Sequence, residues 1–457
     1  MTRFATTPPP PGPPRPFVPP SFQQTVLPSG LRIRAARWGK RPTVAASLLV
    51  AGAGSAGDPI GLEGTAEIAA ETFLGGTSRL NATELAEAID DLAAIVEVSS
   101  GVDSSVARLF VLPAELEAGL TLFAQILVDA TFPEDEFDKN RRRQIDLLAE
   151  QRSEPDFLAK ERLLDRLYPD HPYGRFTASE AGLQRMTRDD VQSFVRSRYD
   201  LGKATLVLVG DVDPERLLRV AEKVFGALPK GTEEARTPDA HGAPPVVTGF
   251  SIHLVHRPGS VQTNLLFARP AIKRSDPLYP AAIVANQTLG GGASSRLFNV
   301  LREERGLTYG AFSSLVPRLS GGHFSASIDC RTEVTHESLD GLLRLIRAFS
   351  ESGPTEDEHQ RSLKYILGSF VLARETPGAI AQDEVTRLLH ALPDDEFHTW
   401  RDRVMSVTRS AATETASSLF DPATGVVAAV GDAAVIRPVL DKFGETTLWD
   451  ADGPRVP

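Results

Sequence analysis

The stretch Leu289 to Gly310, LGGGASSRLFNVLREERGLTYG, holds the residues best suited to chemistry. Arg302 is followed seven positions later by Tyr309. A guanidinium and a phenol side by side are directed hydrogen-bond donors, able to hold a peptide carbonyl or the oxyanion formed when it is attacked. The spacing alone leaves a second reading open, in which Arg302 pairs with Glu303 or Glu304 and Tyr309 is an ordinary strand aromatic. A second candidate group is the acidic row Glu63, Glu67 and Glu71. Its i, i+4, i+8 spacing fits a hydrated helix face better than an oxygen-only cation site, which needs more ligands, often including loop carbonyls. The nine histidines are scattered. His253 and His256 fall in an expected strand, where their spacing turns them to opposite faces. The single cysteine, Cys330, excludes an intrachain disulfide and reads as a buried thiol in the alternating run FSASIDC.

The elements around the Arg/Tyr pair follow from periodicity. Leu297, Val300 and Leu301 recur at helical spacing, Gly306 supplies a left-handed stop, and the chain from Leu307 reads as extended. Arg302 and Tyr309 therefore flank a helix-to-strand corner that can aim both into a cleft. Gly290 to Gly292 are no phosphate loop, because no G-K-[ST] follows.

Upstream, LRIRAARW and TVAASLLVAG read as paired strands and GLEGTAEIAAETFL as a helix from Gly61. Asn81 with Glu84 marks a capping box for a helix burying Leu85, Ala88, Ile89 and Leu92. Further helices are expected over about 134–151 and 156–167, followed by the turn DHPYGR, a helix near Thr187 and the buried strand ATLVLVGDV. The pattern then repeats. MTRDDVQSFVRSRYDLGKATLVLVGD is echoed by VTRSAATETASSLFDPATGVVAAVGD, with Thr187 matching Thr408, Asp200 matching Asp421 and Gly210 matching Gly431, each pair 221 apart by subtraction of the residue numbers. Pro133 and Pro354 share that offset. The expected fold is α+β, two duplicated lobes of antiparallel or mixed sheet covered by helices. Residues 1–20 read as a proline-rich, disordered tail, 21–230 as the first lobe, 231–246 as a linker and 247–447 as the second lobe.

With 457 residues and 41% hydrophobic content the chain suits two domains. A net charge of −11 argues against nucleic acid as the main ligand. The sequence contains no apolar run of about 18 residues to span a bilayer, and its N-terminus lacks the features of a secretory signal. A cytoplasmic location is expected.

The duplicated lobes, GLEGTAEIAAETFLGGT in the first and GGGASSRLFNVLREERGLTYG in the second, resemble the insulinase/pitrilysin family of zinc metallopeptidases. The resemblance runs from about Gln24 to Gly444, and more narrowly the chain looks like the two-lobed subunits of roughly 50 kDa that include mitochondrial processing peptidase and the respiratory core proteins. In that family a first-lobe helix carries H-x-x-E-H, whose histidines bind zinc and whose glutamate takes a proton from the metal-bound water. Here the resemblance puts Gly64 and Ile68 at the histidine positions, leaves Glu67, and puts the third ligand at or near Leu147. It also implies that Arg302 and Tyr309 match the family's second-lobe Arg and Tyr, which bind the substrate backbone and stabilise the attacked carbonyl. The implied function is a zinc-free subunit, inactive alone, with no cofactor of its own. A homologous partner would carry H-x-x-E-H and zinc, and a peptide would be the substrate. The alternative is an inert scaffold or peptide-binding protein of the core-protein kind.

Overall fold

A computed structural model describes residues 17–228 and 241–451. The first lobe holds β1 (Gln23–Val26), β2 (Arg32–Arg37), β3 (Val44–Ala51), β4 (Ile95–Ser100), β5 (Ser104–Val111) and β6 (Thr205–Gly210). The second holds β7 (Phe250–His256), β8 (Gln262–Ala271), β9 (Thr308–Val316), β10 (Gly322–Arg331), β11 (Gly425–Gly431) and β12 (Thr446–Asp450). The sheet orders are β1-β2-β6-β3-β5-β4 and β12-β7-β11-β8-β10-β9. Five strands correspond one to one, and both sheets are mixed, β6 running parallel to β2 and β11 parallel to β7. The two lobes of mixed sheet and helix agree with the fold expected from the repeat.

The corresponding landmarks occupy corresponding places. Thr187 and Thr408 cap the helices Arg188–Arg198 and Arg409–Phe420, their hydroxyls accepting from the amides of Asp190 and Ala411. Gly210 and Gly431 end β6 and β11, which are buried along their whole length. Burial on both faces explains why these two strands read as unbroken apolar runs. One face of β6, through Leu206 and Leu208, joins the first lobe's own core. The other, through Val207 and Val209, packs on Ile380, Ala381 and Val385 of the second-lobe helix Pro377–Leu389. The reciprocal contact is made by the first-lobe helix Pro155–Leu167, whose Leu163, Leu164 and Leu167 lie against Val426 and Ala428 of β11. Each lobe thus completes its neighbour's sheet with one donated helix.

Several sequence expectations change in detail. β2 and β3 do not pair with each other, because β6, far away in sequence, inserts between them. The helix expected from Gly61 starts only at Thr65, since Gly64 adopts a left-handed backbone (φ 96°) that helical geometry does not accept. The expected tail is described from Phe17, whose ring is packed against Trp38 of the first lobe and Phe370 of the second, 5.5 and 5.4 Å between centroids. The second lobe continues past residue 447, because β12 adds to the edge of β7. The expected linker lies largely outside the described residues. Among the described residues, no helix is long and apolar enough to cross a membrane.

Candidate functional site

The glycine-opened corner forms as the spacing predicts, with one local difference. After a short turn at Arg296–Phe298 the helix widens into a π-helical stretch, Asn299–Glu304, and Gly306 stops it at φ 60°. A π-turn rotates the side chains that follow it and recurs at functional sites. Arg302 and Tyr309 both line an open cavity of about 710 Å³, together with Gly306, Phe312, Asp329 and Arg331. The Arg302 guanidinium lies 4.5 Å from the centre of the Phe298 ring. Its Nε stands 3.5 Å from a carboxylate oxygen of Glu303, and its side chain stays 42% exposed. Tyr309 is 93% exposed, and among the described residues its hydroxyl has no hydrogen-bond partner. Cys330 borders the same cavity with its thiol buried.

The first-lobe positions meet around a different cavity, of about 360 Å³. Gly64, Glu67 and Leu147 line it, joined by Asp58, Glu63, Gln144, Lys160, Arg175 and Arg318. Ile68 does not reach it, being fully buried in the lobe's core. Asp58 builds the floor. Its two carboxylate oxygens accept from the amides of Gly64 and Ala66, both at 2.8 Å, and so cap the helix Thr65–Thr72. Burial nevertheless pushes the Asp58 carboxyl up to about 7.

Of the three glutamates, Glu67 is an exposed residue of the helix as the spacing predicts, whereas Glu63 and Glu71 are half-buried and paired. Glu63 precedes the helix; it accepts from the Gly61 amide and lies 3.5 Å from Arg175. Glu71 pairs with Arg143 and accepts from Gln144 at 3.0 Å. Glu67 is held above the ordinary carboxylate range by desolvation and then by repulsion from Glu71. Arg175, supplied by the DHPYGR turn, donates to the carbonyls of Asp58 (2.9 Å) and Ala56 (3.3 Å).

This donor set does not suit a zinc ion. Gly64 has no side chain, Ile68 and Leu147 are hydrocarbon, and Glu67 is the one oxygen donor left of the four positions. Among the described residues, no group of three His, Cys, Asp or Glu side chains is placed to hold a metal. His253 lies between Ser251 and the Trp449 indole N–H, and His256 accepts from the Ala433 amide.

Among the described residues the two cavities share no lining residue. Tyr309 stands near the start of β9 and Arg318 just beyond its end, and the intervening strand spans roughly 25 Å at the usual rise. Lys160, Arg175, Asp58 and Arg318 were not legible as site residues. Arg318 in particular lies in a turn of the other lobe, brought to the first-lobe cavity by lobe packing alone.

Two family models match, "Insulinase (Peptidase family M16)" over residues 38–180 and "Peptidase M16 inactive domain" over residues 185–365. An uncharacterized zinc protease of Streptomyces coelicolor is 25% identical over 410 residues, 84% of this chain and 87% of its own length. A non-peptidase homolog of Helicobacter pylori is 24% identical over 333 residues, 71% of this chain and 74% of that protein. The crystal structure of a peptidase M16 inactive domain from Pseudomonas fluorescens superposes with a TM-score of 0.83 at 26% identity, covering 90% of this chain and 98% of that one.

Proposed function

We propose, from the premise that the chain belongs to the insulinase (M16) family of peptidases, that it is the zinc-free subunit of a heterodimeric peptidase. Arg302 and Tyr309 grip the substrate backbone and the attacked carbonyl, while the partner brings the H-x-x-E-H helix with its metal. The observation that carries this reading is the state of the pair. Two strong donors face a 710 Å³ cavity with little to satisfy them internally, in a chain whose own metal positions hold Gly64, Ile68 and Leu147. A guanidinium and a phenol held ready for developing negative charge are worth most when they need no rearrangement at the moment of reaction. The two cavities share no lining residue, which supports a reading in which a carbonyl held at Arg302 is attacked by groups from a second chain. The cytoplasmic location expected from the sequence is part of the same proposal.

The name of the Helicobacter pylori relative, a non-peptidase homolog, favours the second reading, an inert scaffold. One experiment separates the two. The zinc-bearing chain that copurifies from the native source is mixed with this chain, and peptide turnover is followed. Arg302→Ala is expected to lower kcat of the pair by about 10²–10³, the usual cost of one oxyanion donor, with Tyr309→Phe in the same direction and assembly intact. A reconstituted pair that keeps full activity with both variants would overturn the roles assigned. A pair without peptidase activity would favour the scaffold.

A further inference from the structure

The first-lobe cavity has lost its metal positions but not its charge, and the charges do not all cancel. Asp58 is occupied by two backbone amides, and Arg175 by the carbonyls of Asp58 and Ala56 and by Glu63. Glu71 is taken up by Arg143. Lys160, Arg318 and the Glu67 carboxylate remain, and among the described residues neither cation has a carboxylate within ion-pair distance. The two cations come from different lobes, Lys160 from the helix Pro155–Leu167 and Arg318 from the turn between β9 and β10, yet line the same 360 Å³.

Both are held in place by aromatic rings. The Lys160 ammonium sits 4.8 Å from the centre of Phe176, and the Arg318 guanidinium 4.7 Å from that of Tyr173. Tyr173 is itself fixed, donating to Asp103 at 2.7 Å and accepting from the Ser320 amide at 3.0 Å, which ties the Arg318 turn to the first lobe. Burial and the neighbouring Arg318 pull the Lys160 ammonium below its ordinary range. Two cations that share a cavity and lack a direct ion-pair partner cost stability, and an anion placed between them removes that cost.

We propose that this cavity recognises a carboxylate of a bound peptide, gripped between Lys160 and Arg318, with an adjoining apolar side chain against Phe157, Phe176 and Leu147. Peptide carboxylate fits better than phosphate for two reasons. The amides at the N-terminus of the helix Thr65–Thr72 that reach the cavity floor are already capped by Asp58, so the backbone donors that phosphate favours are occupied. Glu67, on the cavity wall, would also repel a doubly charged ligand more than a singly charged one. The ligand class rests on the chain being a peptide-handling subunit. The test below uses binding and not turnover, so either proposal can fail while the other stands.

The full chain is titrated with acetyl-Gly-Ala-Phe bearing a free C-terminus, with its C-terminal amide, and with acetyl-Gly-Asp-Phe amide; binding is followed by calorimetry. The free acid, the aspartyl amide or both are expected to bind about tenfold tighter than the neutral amide, and which of them does so distinguishes a chain end from an acidic side chain. Lys160→Met with Arg318→Met should abolish that preference, while Lys160→Arg and Arg318→Lys should keep most of it. Equal binding of all three peptides, absence of binding, a preference that survives the double Met variant, or inorganic phosphate binding more tightly than the free acid would each overturn the proposal.

Discussion

The two cavities differ in what their side chains are bound to. In the first lobe, two of the three positions that the resemblance matches to the family's metal ligands, 64 and 68, are part of the fabric of the fold, while Leu147 is 37% exposed. Ile68 is core and Gly64 is a left-handed turn pinned by Asp58, while the neighbouring Glu63 and Glu71 have cationic partners. In the second lobe, Arg302 and Tyr309 stand at the surface and add little to the folded state. A large aromatic residue left almost wholly in water, beside an arginine with one weak ionic contact, is poorly explained by stability. The difference teaches that positions 64 and 68 serve folding, whereas the second-lobe pair contributes little to it, as the role proposed for that pair requires.

The sharpest way to break this contrast is to rebuild the metal ligands. Gly64→His with Ile68→His should lower stability by about 3 kcal/mol or more, read by denaturant unfolding, because an imidazole would be buried without a partner at position 68. At position 64, a side chain would be forced into φ 96° with its Cβ 3.2 Å from that of Ala178. Metal analysis of this variant should find no stoichiometric zinc, Leu147 offering no third donor. Zinc bound by a stable double variant would show that the first lobe retains a metal site in waiting.

A comparable effect, dependent on pH, is expected at Asp58. Its carboxyl, at about 7 in the fold, lies above the ordinary value of 3.8, so between those two pH values the native state keeps a proton that the unfolded chain has lost. The stabilisation is complete below the lower value and disappears as pH rises through 7. Relative to Asp58→Asn, the wild type should therefore lose about 3–4 kcal/mol of stability between pH 4 and pH 8. Parallel stability profiles would mean that the two amide donors keep Asp58 ionised.

The smallest effect sharpens the contrast from the other side. Tyr309→Phe and Arg302→Ala should each leave unfolding free energy within about 0.5 kcal/mol of wild type, as exposed substitutions do, although both are expected to damage turnover. A loss well beyond that would make them structural residues.

Much of this organisation was legible because it is written in local signals. The paired caps at Thr187 and Thr408 and the matching apolar strands before Gly210 and Gly431 revealed the duplication. Gly306 and the helical spacing before it placed the corner that carries Arg302 and Tyr309. The acidic row was legible at Glu67, exposed on its helix, but not at its ends, because helical spacing does not show that Glu63 lies before the helix or that Arg143 and Arg175 supply partners from elsewhere.

The sequence by itself determined the repeat, the absence of metal-binding side chains at positions 64 and 68, and the presence of the Arg/Tyr pair, since these depend on residue type and short-range spacing. Only the tertiary structure decided that β6 divides β2 from β3, that each lobe lends a helix to the other's sheet, and that Arg318 faces Lys160 across the lobe boundary. Those arrangements join residues far apart in the chain. They are selected by the burial of complementary apolar faces, a property of whole elements that no local stretch contains.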